Sequence, residues 1–169
     1  AKLLGKAKYG FRYLPKWMLA IGPQQTSNNM LKLTFDNESA IESLPSNNDP
    51  ARGESVYLVI VDEMAFLPNP DEAWASIEPI ADVGGRIICL STANGAGDFF
   101  HQLWVGSQTG ANHFVGLFWP WSAGDRNDDW YEAKVKSGMP LWQLHQEYPR
   151  DADEAFIMSG NPVFDVKAL

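Results

Sequence analysis

An α/β fold with a parallel-sheet core is what this sequence predicts, and three observations predict it. VYLVIV, residues 56–61, is an unbroken apolar run of mostly β-branched residues, the texture of a strand buried on both faces of a parallel sheet. RIICLST, residues 86–92, repeats that texture. Segments of helical character stand between and after these runs, and strands alternating with helices imply layered α/β architecture.

The elements follow in chain order. From Leu3 to Leu19 apolar residues recur at mixed helical spacing, interrupted by Gly5, Gly10 and Pro15, which predicts one or two short helices. LKLTFD alternates Leu31, Leu33 and Phe35 with polar residues, the period of a half-buried strand. Asp36 and Asn37 supply a turn, Ala40 to Leu44 reads as the return strand of a hairpin, and Pro45 to Gly53 is loop by its turn chemistry. Asn69 to Ile80 suits a helix, with Asp71 and Glu72 where the helix dipole favours carboxylates, and Gly84-Gly85 end it. Phe99 to Val105 is predicted helical, HFVGLFW from His113 to Trp119 a further strand, and Trp130–Ser137, Leu141–Glu147 and Asp151–Phe156 short helices. Gly160 and Pro162 give SGNPVFD the look of a linker.

Composition narrows the function classes. The chain has 169 residues, a size suited to one domain, with 45% hydrophobic and 20% charged residues, a globular mix without the polar bias of disorder. Its apolar runs are far shorter than the roughly 18 residues a membrane span requires, so no membrane partner is expected. The single cysteine, Cys89, rules out disulfide and multi-cysteine zinc frameworks and fits a reducing compartment. His101, His113 and His145 have no ligand-like spacing. A net charge of −8 argues against a basic nucleic-acid-binding domain, yet residues 1–35 carry Lys2, Lys6, Lys8, Arg12, Lys16 and Lys32 and no acid. That head reads as a solvated helix face, with contact to DNA or to a neighbouring subunit as the alternative. The tryptophans read as core in a chain this aromatic, with base stacking as their alternative.

The sharpest chemical signal is the strand VYLVIV running directly into Asp62 and Glu63. Open α/β sheets bind ligands at the carboxyl ends of their strands. In nucleoside triphosphatases an acid pair there divides two tasks, Asp62 holding the Mg²⁺ that bridges the phosphates and Glu63 polarising the attacking water. Alternation along a strand would send the two side chains opposite ways. The plainer alternative is two acids ending a strand at the surface. The second signal is Ser91, Thr92, Ala93 and Asn94 at the end of the other strand, where hydroxyl and amide groups can sense a γ-phosphate, or simply form a strand-to-helix turn.

In this order the pieces resemble the large terminase, the DNA-packaging motor ATPase of tailed double-stranded DNA viruses. The resemblance runs from about Leu14 to Asp165 through LPKWM, ARG, DEMAFLP, GGRIICLSTANG, WPW and QEYPRDADEAF. It implies a P-loop NTPase core of the additional-strand (ASCE) type with flanking helices. Asp62 and Glu63 then match the Walker B positions, with Asp62 toward metal and Glu63 catalytic, and Ser91, Thr92 and Asn94 match the coupling motif that contacts nucleotide. Arg52 matches an arginine that reaches a neighbouring subunit's nucleotide, a role worth roughly 10³ to 10⁵ in rate; its alternative is a surface arginine pairing with Asp49 or Glu54.

The sequence departs from the family in holding no Gly-x-x-x-x-Gly-Lys-Ser/Thr loop. The family order places that loop and the first core strand before Ala1 and a nuclease domain after Leu169. On this reading residues 1–158 are the later part of the ATPase domain, with a small helical subregion over 122–158, and 159–169 begin a linker. The chain is expected to be inactive alone. The intact protein would use ATP and Mg²⁺ to drive viral DNA into the procapsid, as a homo-oligomeric ring with the portal and the small terminase subunit, in the host cytoplasm. Another additional-strand ATPase such as a helicase, or a non-enzymatic α/β interaction module, is the alternative.

Overall fold

The chain's N-terminal residues form helices joined to a small antiparallel sheet. The computed structural model describes residues 2–44 and 56–158, so Arg52, the Pro45–Gly53 loop and the 159–169 linker lie outside the described residues. Helix α1 spans Lys2–Arg12 and α2 spans Lys16–Ile21, separated at Pro15, whose ring cannot supply a donor to a continuing helix. Three strands follow, β1 (Gln25–Asn28), β2 (Lys32–Phe35) and β3 (Ala40–Glu42), all antiparallel in the order β1-β2-β3. Leu33 and Leu4 are almost wholly buried, and Phe11 of α1 meets Phe35 of β2 edge to face at 5.2 Å. β1 was not legible from the sequence, because QTSN carries no apolar residue and exists as a strand only through its pairing with β2.

The second part begins with the predicted central strand. β4 (Leu58–Asp62) and β5 (Arg86–Leu90) run parallel, in register from Leu58 opposite Arg86 to Asp62 opposite Leu90. Between them α3 (Pro70–Ile77) and α4 (Pro79–Asp82) replace the single predicted helix. Pro79 opens α4 at a first-turn position, where its missing N–H costs nothing. Helix α5 runs Phe99–Thr109, capped by the Asp98 carboxylate, which accepts from the His101 N–H at 2.6 Å, and closed by Gly110 in the left-handed region. The core under the sheet is Val61, Met64, Ile77 and Ile80, with Val59, Ile87, Cys89, Phe99 and Leu103 against it. Burial pushes the Cys89 thiol up to about 11, as expected of a packing residue rather than a nucleophile.

Helices α6 (Asp128–Lys136), α7 (Leu141–Glu147) and α8 (Ala152–Met158) complete the described chain. Trp121 stacks on Tyr131, and Phe156 joins Ala93 and Ala155 in a second core cluster packed by Phe100, Trp104 and Phe118. The described residues are thus a mixed α/β fold with a small parallel sheet and a separate antiparallel one. No helix among them is long and apolar enough to cross a membrane.

Two expectations need correction. The central strands are buried on one face only: Leu58, Ile60, Ile88 and Leu90 are exposed, because helices cover just the side that holds Val59, Val61, Ile87 and Cys89. Residues 113–119, predicted as a strand, alternate in burial but belong to no sheet. Phe114 and Phe118 pack inward on Trp74 and Trp104, whereas Val115, Leu117 and Trp119 stand in solvent. A strand is completed by a neighbour, and none of the described residues supplies one here.

Candidate functional site

The parallel pairing brings the two sequence signals together. Asp62 and Leu90 are register partners and both strands end there, so Asp62-Glu63 and Ser91–Asn94 leave the sheet side by side at its carboxyl end. Asp62 and Glu63 are exposed, and neither carboxylate enters a hydrogen bond or ion pair among the described residues. Two carboxylates left free at the carboxyl end of a parallel sheet are available to a ligand.

Glu63 itself is not a strand residue. Its φ of 57° and ψ of 44° place it in the left-handed region, sparsely populated by residues with a Cβ and costing on the order of 1 kcal/mol. Strand alternation therefore ends at Asp62, and a tight turn rather than strand geometry sets Glu63 apart from it. The Phe66 N–H donates to the Glu63 carbonyl at 2.9 Å, opening a 3₁₀ turn over Met64–Phe66, with Met64 anchored in the core.

The loop after β5 clamps that turn. Ser91 Oγ accepts from the Ala65 N–H at 3.2 Å, and Asn94 Nδ2 donates to the Ala65 carbonyl at 3.1 Å. Both polar groups of one peptide residue, two positions beyond Glu63, are thus held by the neighbouring loop. Thr92 is half-buried beside them. The third contact runs the other way: Gln146 Nε2 of α7 donates to the buried Ala93 carbonyl at 2.8 Å. Its neighbour His145 holds Nδ1 2.5 Å from Glu154 Oε1 of α8. A path of hydrogen-bonded groups therefore joins the acid turn to the 91–94 loop and on to α7.

Sequence reasoning named Asp62, Glu63, Ser91, Thr92 and Asn94, and the fold gathers them at one sheet end; Arg52 lies outside the described residues. It missed Ala65 and Gln146, whose roles depend on partners 26 to 53 residues away. It also missed Asp98, legible as a helix cap, whose second carboxylate oxygen is buried with no partner.

Metal fit can be judged from the donors. Magnesium in nucleotide sites takes one or two carboxylates and completes its shell with phosphate oxygens and water. A free, exposed Asp62 fits that role, and among the described residues no group of three His, Cys, Asp or Glu gathers to form an all-protein cage. A surface depression lined by His101, Trp104, Gln108, Asp153 and Phe156 includes none of these site residues. No protein-family model matches the chain.

Proposed function

We propose that this chain is the later part of a nucleoside-triphosphate-driven DNA-packaging motor of the large-terminase kind. The observation that carries the proposal is the clamp of Ser91 and Asn94 on Ala65, beside two unpaired carboxylates at a parallel sheet end. Bound Mg²⁺ would neutralise charge on the phosphates of ATP, with Asp62 as its carboxylate ligand. Glu63 accepts a hydrogen bond from the attacking water and orients it toward the terminal phosphate. Ser91, Thr92 and Asn94 sit where loss of that phosphate is felt, and any shift of Ala65 relative to Ala93 is passed through Gln146 to α7. Arg52 completes the site from a neighbouring subunit, in a ring that works at the procapsid portal in the host cytoplasm with the small subunit.

The exposed sheet face supports the same reading. Leu58, Ile60, Ile88 and Leu90 leave one face of the parallel sheet bare, and Val115–Trp119 pairs with no described strand; a phosphate-loop strand at the sheet edge, with the helix after it laid over that face, is what an ATPase core would add. A rival is favoured by that surface too: contiguous exposed apolar groups also mark a protein-binding module without catalysis. Calorimetric titration of the full-length protein with ATPγS separates the two. The motor reading expects Mg²⁺-dependent binding weakened by Asp62→Asn at least about tenfold, since a charge-assisted metal contact is lost. No binding with or without Mg²⁺ rejects it in favour of the module.

A further inference from the structure

The N-terminal helix has a surface that the nucleotide site does not use. Leu4 and Phe11 bury one side of α1, and the opposite side exposes Lys6, Tyr9, Arg12 and Tyr13, continued by Lys16 and Trp17 at the start of α2. The Lys8 ammonium is occupied by the Asn29 carbonyl, whereas the side chains of Lys6, Arg12 and Lys16 have no hydrogen bond or ion pair among the described residues. All 21 acidic residues of the chain lie beyond Phe35. The first turn of α1 has no acid, although the helix dipole favours one there.

The glycines add a second observation. Gly5 and Gly10 lie inside α1, where each costs on the order of 1 kcal/mol against alanine, and a Cβ at either would meet nothing within 4 Å. Internal packing therefore does not require them. Both fall on the exposed side with the cations, where a bare backbone allows close approach of a large partner.

We infer that the exposed face of α1 and the start of α2 is a docking surface for the phosphate backbone of duplex DNA. Three unpaired cations on a convex helix with no acid in the same segment complement a dense line of phosphates. The tyrosines point to backbone rather than base recognition: the rings of Tyr9 and Tyr13 contact each other at 4.5 Å, which leaves no slot for a base between them while their hydroxyls stay free to donate to phosphate oxygens. This surface gives the DNA of the proposed motor a place of contact, and it stands or falls separately from the nucleotide site.

The test is lysine acetylation of the full-length protein, read by mass spectrometry, with a mixed-sequence duplex, a single strand of the same sequence, or polyglutamate present. Duplex is expected to slow labelling of Lys6 and Lys16 several-fold while leaving Lys136 unchanged. The triple variant Lys6→Gln, Arg12→Gln, Lys16→Gln should bind duplex about tenfold more weakly and lower the slope of log affinity against log salt by about 2 to 3. Equal labelling with and without duplex overturns the proposal, as does protection by polyglutamate or the single strand but not by duplex. An unchanged salt slope in the triple variant overturns it as well. Glu63→Gln should leave the protection intact, so loss of ATP turnover with intact protection would not touch this surface. Duplex protection in a protein that binds no nucleotide would sink the motor reading alone.

Discussion

Glu63→Gln in the full-length protein should lower ATP turnover by at least about a hundredfold, the usual loss when a group that activates water in the transition state is removed. The substitution keeps the size and hydrogen-bonding reach of the side chain and removes only its negative charge. Because the Glu63 carboxylate is exposed and has no partner among the described residues, the fold should be indifferent to the change. An unfolding free energy within about 0.5 kcal/mol of wild type would then separate a chemical role from a structural one. Turnover equal to wild type would remove Glu63 from the mechanism.

The largest stability effect should come from Gly85→Ala, where strand β5 begins. A Cβ there would lie 2.4 Å from Ile80 Cγ2, 2.7 Å from the Ile80 carbonyl oxygen and 2.9 Å from the Val56 carbonyl oxygen. The Gly85 N–H donates to the Ile80 carbonyl, and the next residue, Arg86, donates to Tyr57, so both contacts sit at the first rung of the parallel pair. Backbone on two sides cannot yield as a flexible side chain would. Overpacking of this kind costs about 3 kcal/mol, and thermal denaturation should show a midpoint lower by roughly 10 °C for a domain of this size. Gly84→Ala, one residue earlier, meets no atom within 4 Å and should act only through its positive φ of 88°. If Gly85→Ala were as stable as wild type, the close approach of α4 to the start of β5 would be wrong.

The parts of the fold legible in the sequence are those whose signals are local. VYLVIV and RIICLS announce their strands by β-branched density, and the helices at Phe99 and near Trp130 show in their spacing, whereas their caps, Asp98 and Asn127, each accepting from an N–H three residues on, went unread and left the second helix starting two residues late. β1 was invisible because its residues are polar and its strand geometry comes from Leu33, Thr34 and Phe35 across the ladder. The run 113–119 misled for the opposite reason: its alternation is that of a strand, and its burial pattern agrees, but pairing is a property of a neighbour and not of the segment. Burial on both faces was likewise inferred for β4 from composition, and composition does not say which molecule covers the second face.

The candidate site divides the same way. Its carboxylates and its polar loop are readable because each ends an apolar strand, and the parallel register places them together. What holds them is not readable. The left-handed turn at Glu63, an unremarkable residue type for a position that favours glycine or asparagine, exists because Ser91 and Asn94 fix Ala65 and Met64 is locked in the core. Gln146 reaching Ala93 depends on the packing of α7 and α8 beneath the loop, which no local pattern encodes.

The claim on which the rest depends is that nucleotide is felt first at the Asp62-Glu63 turn and at the 91–94 loop bonded to it. Hydrogen–deuterium exchange of the full-length protein, with and without Mg²⁺ and ATPγS, measures this directly. Slower exchange is expected in peptides covering 61–66 and 91–95 together, with a smaller change over 144–148 relayed through Gln146. Nucleotide that binds while leaving both of the first two segments unchanged would contradict the account.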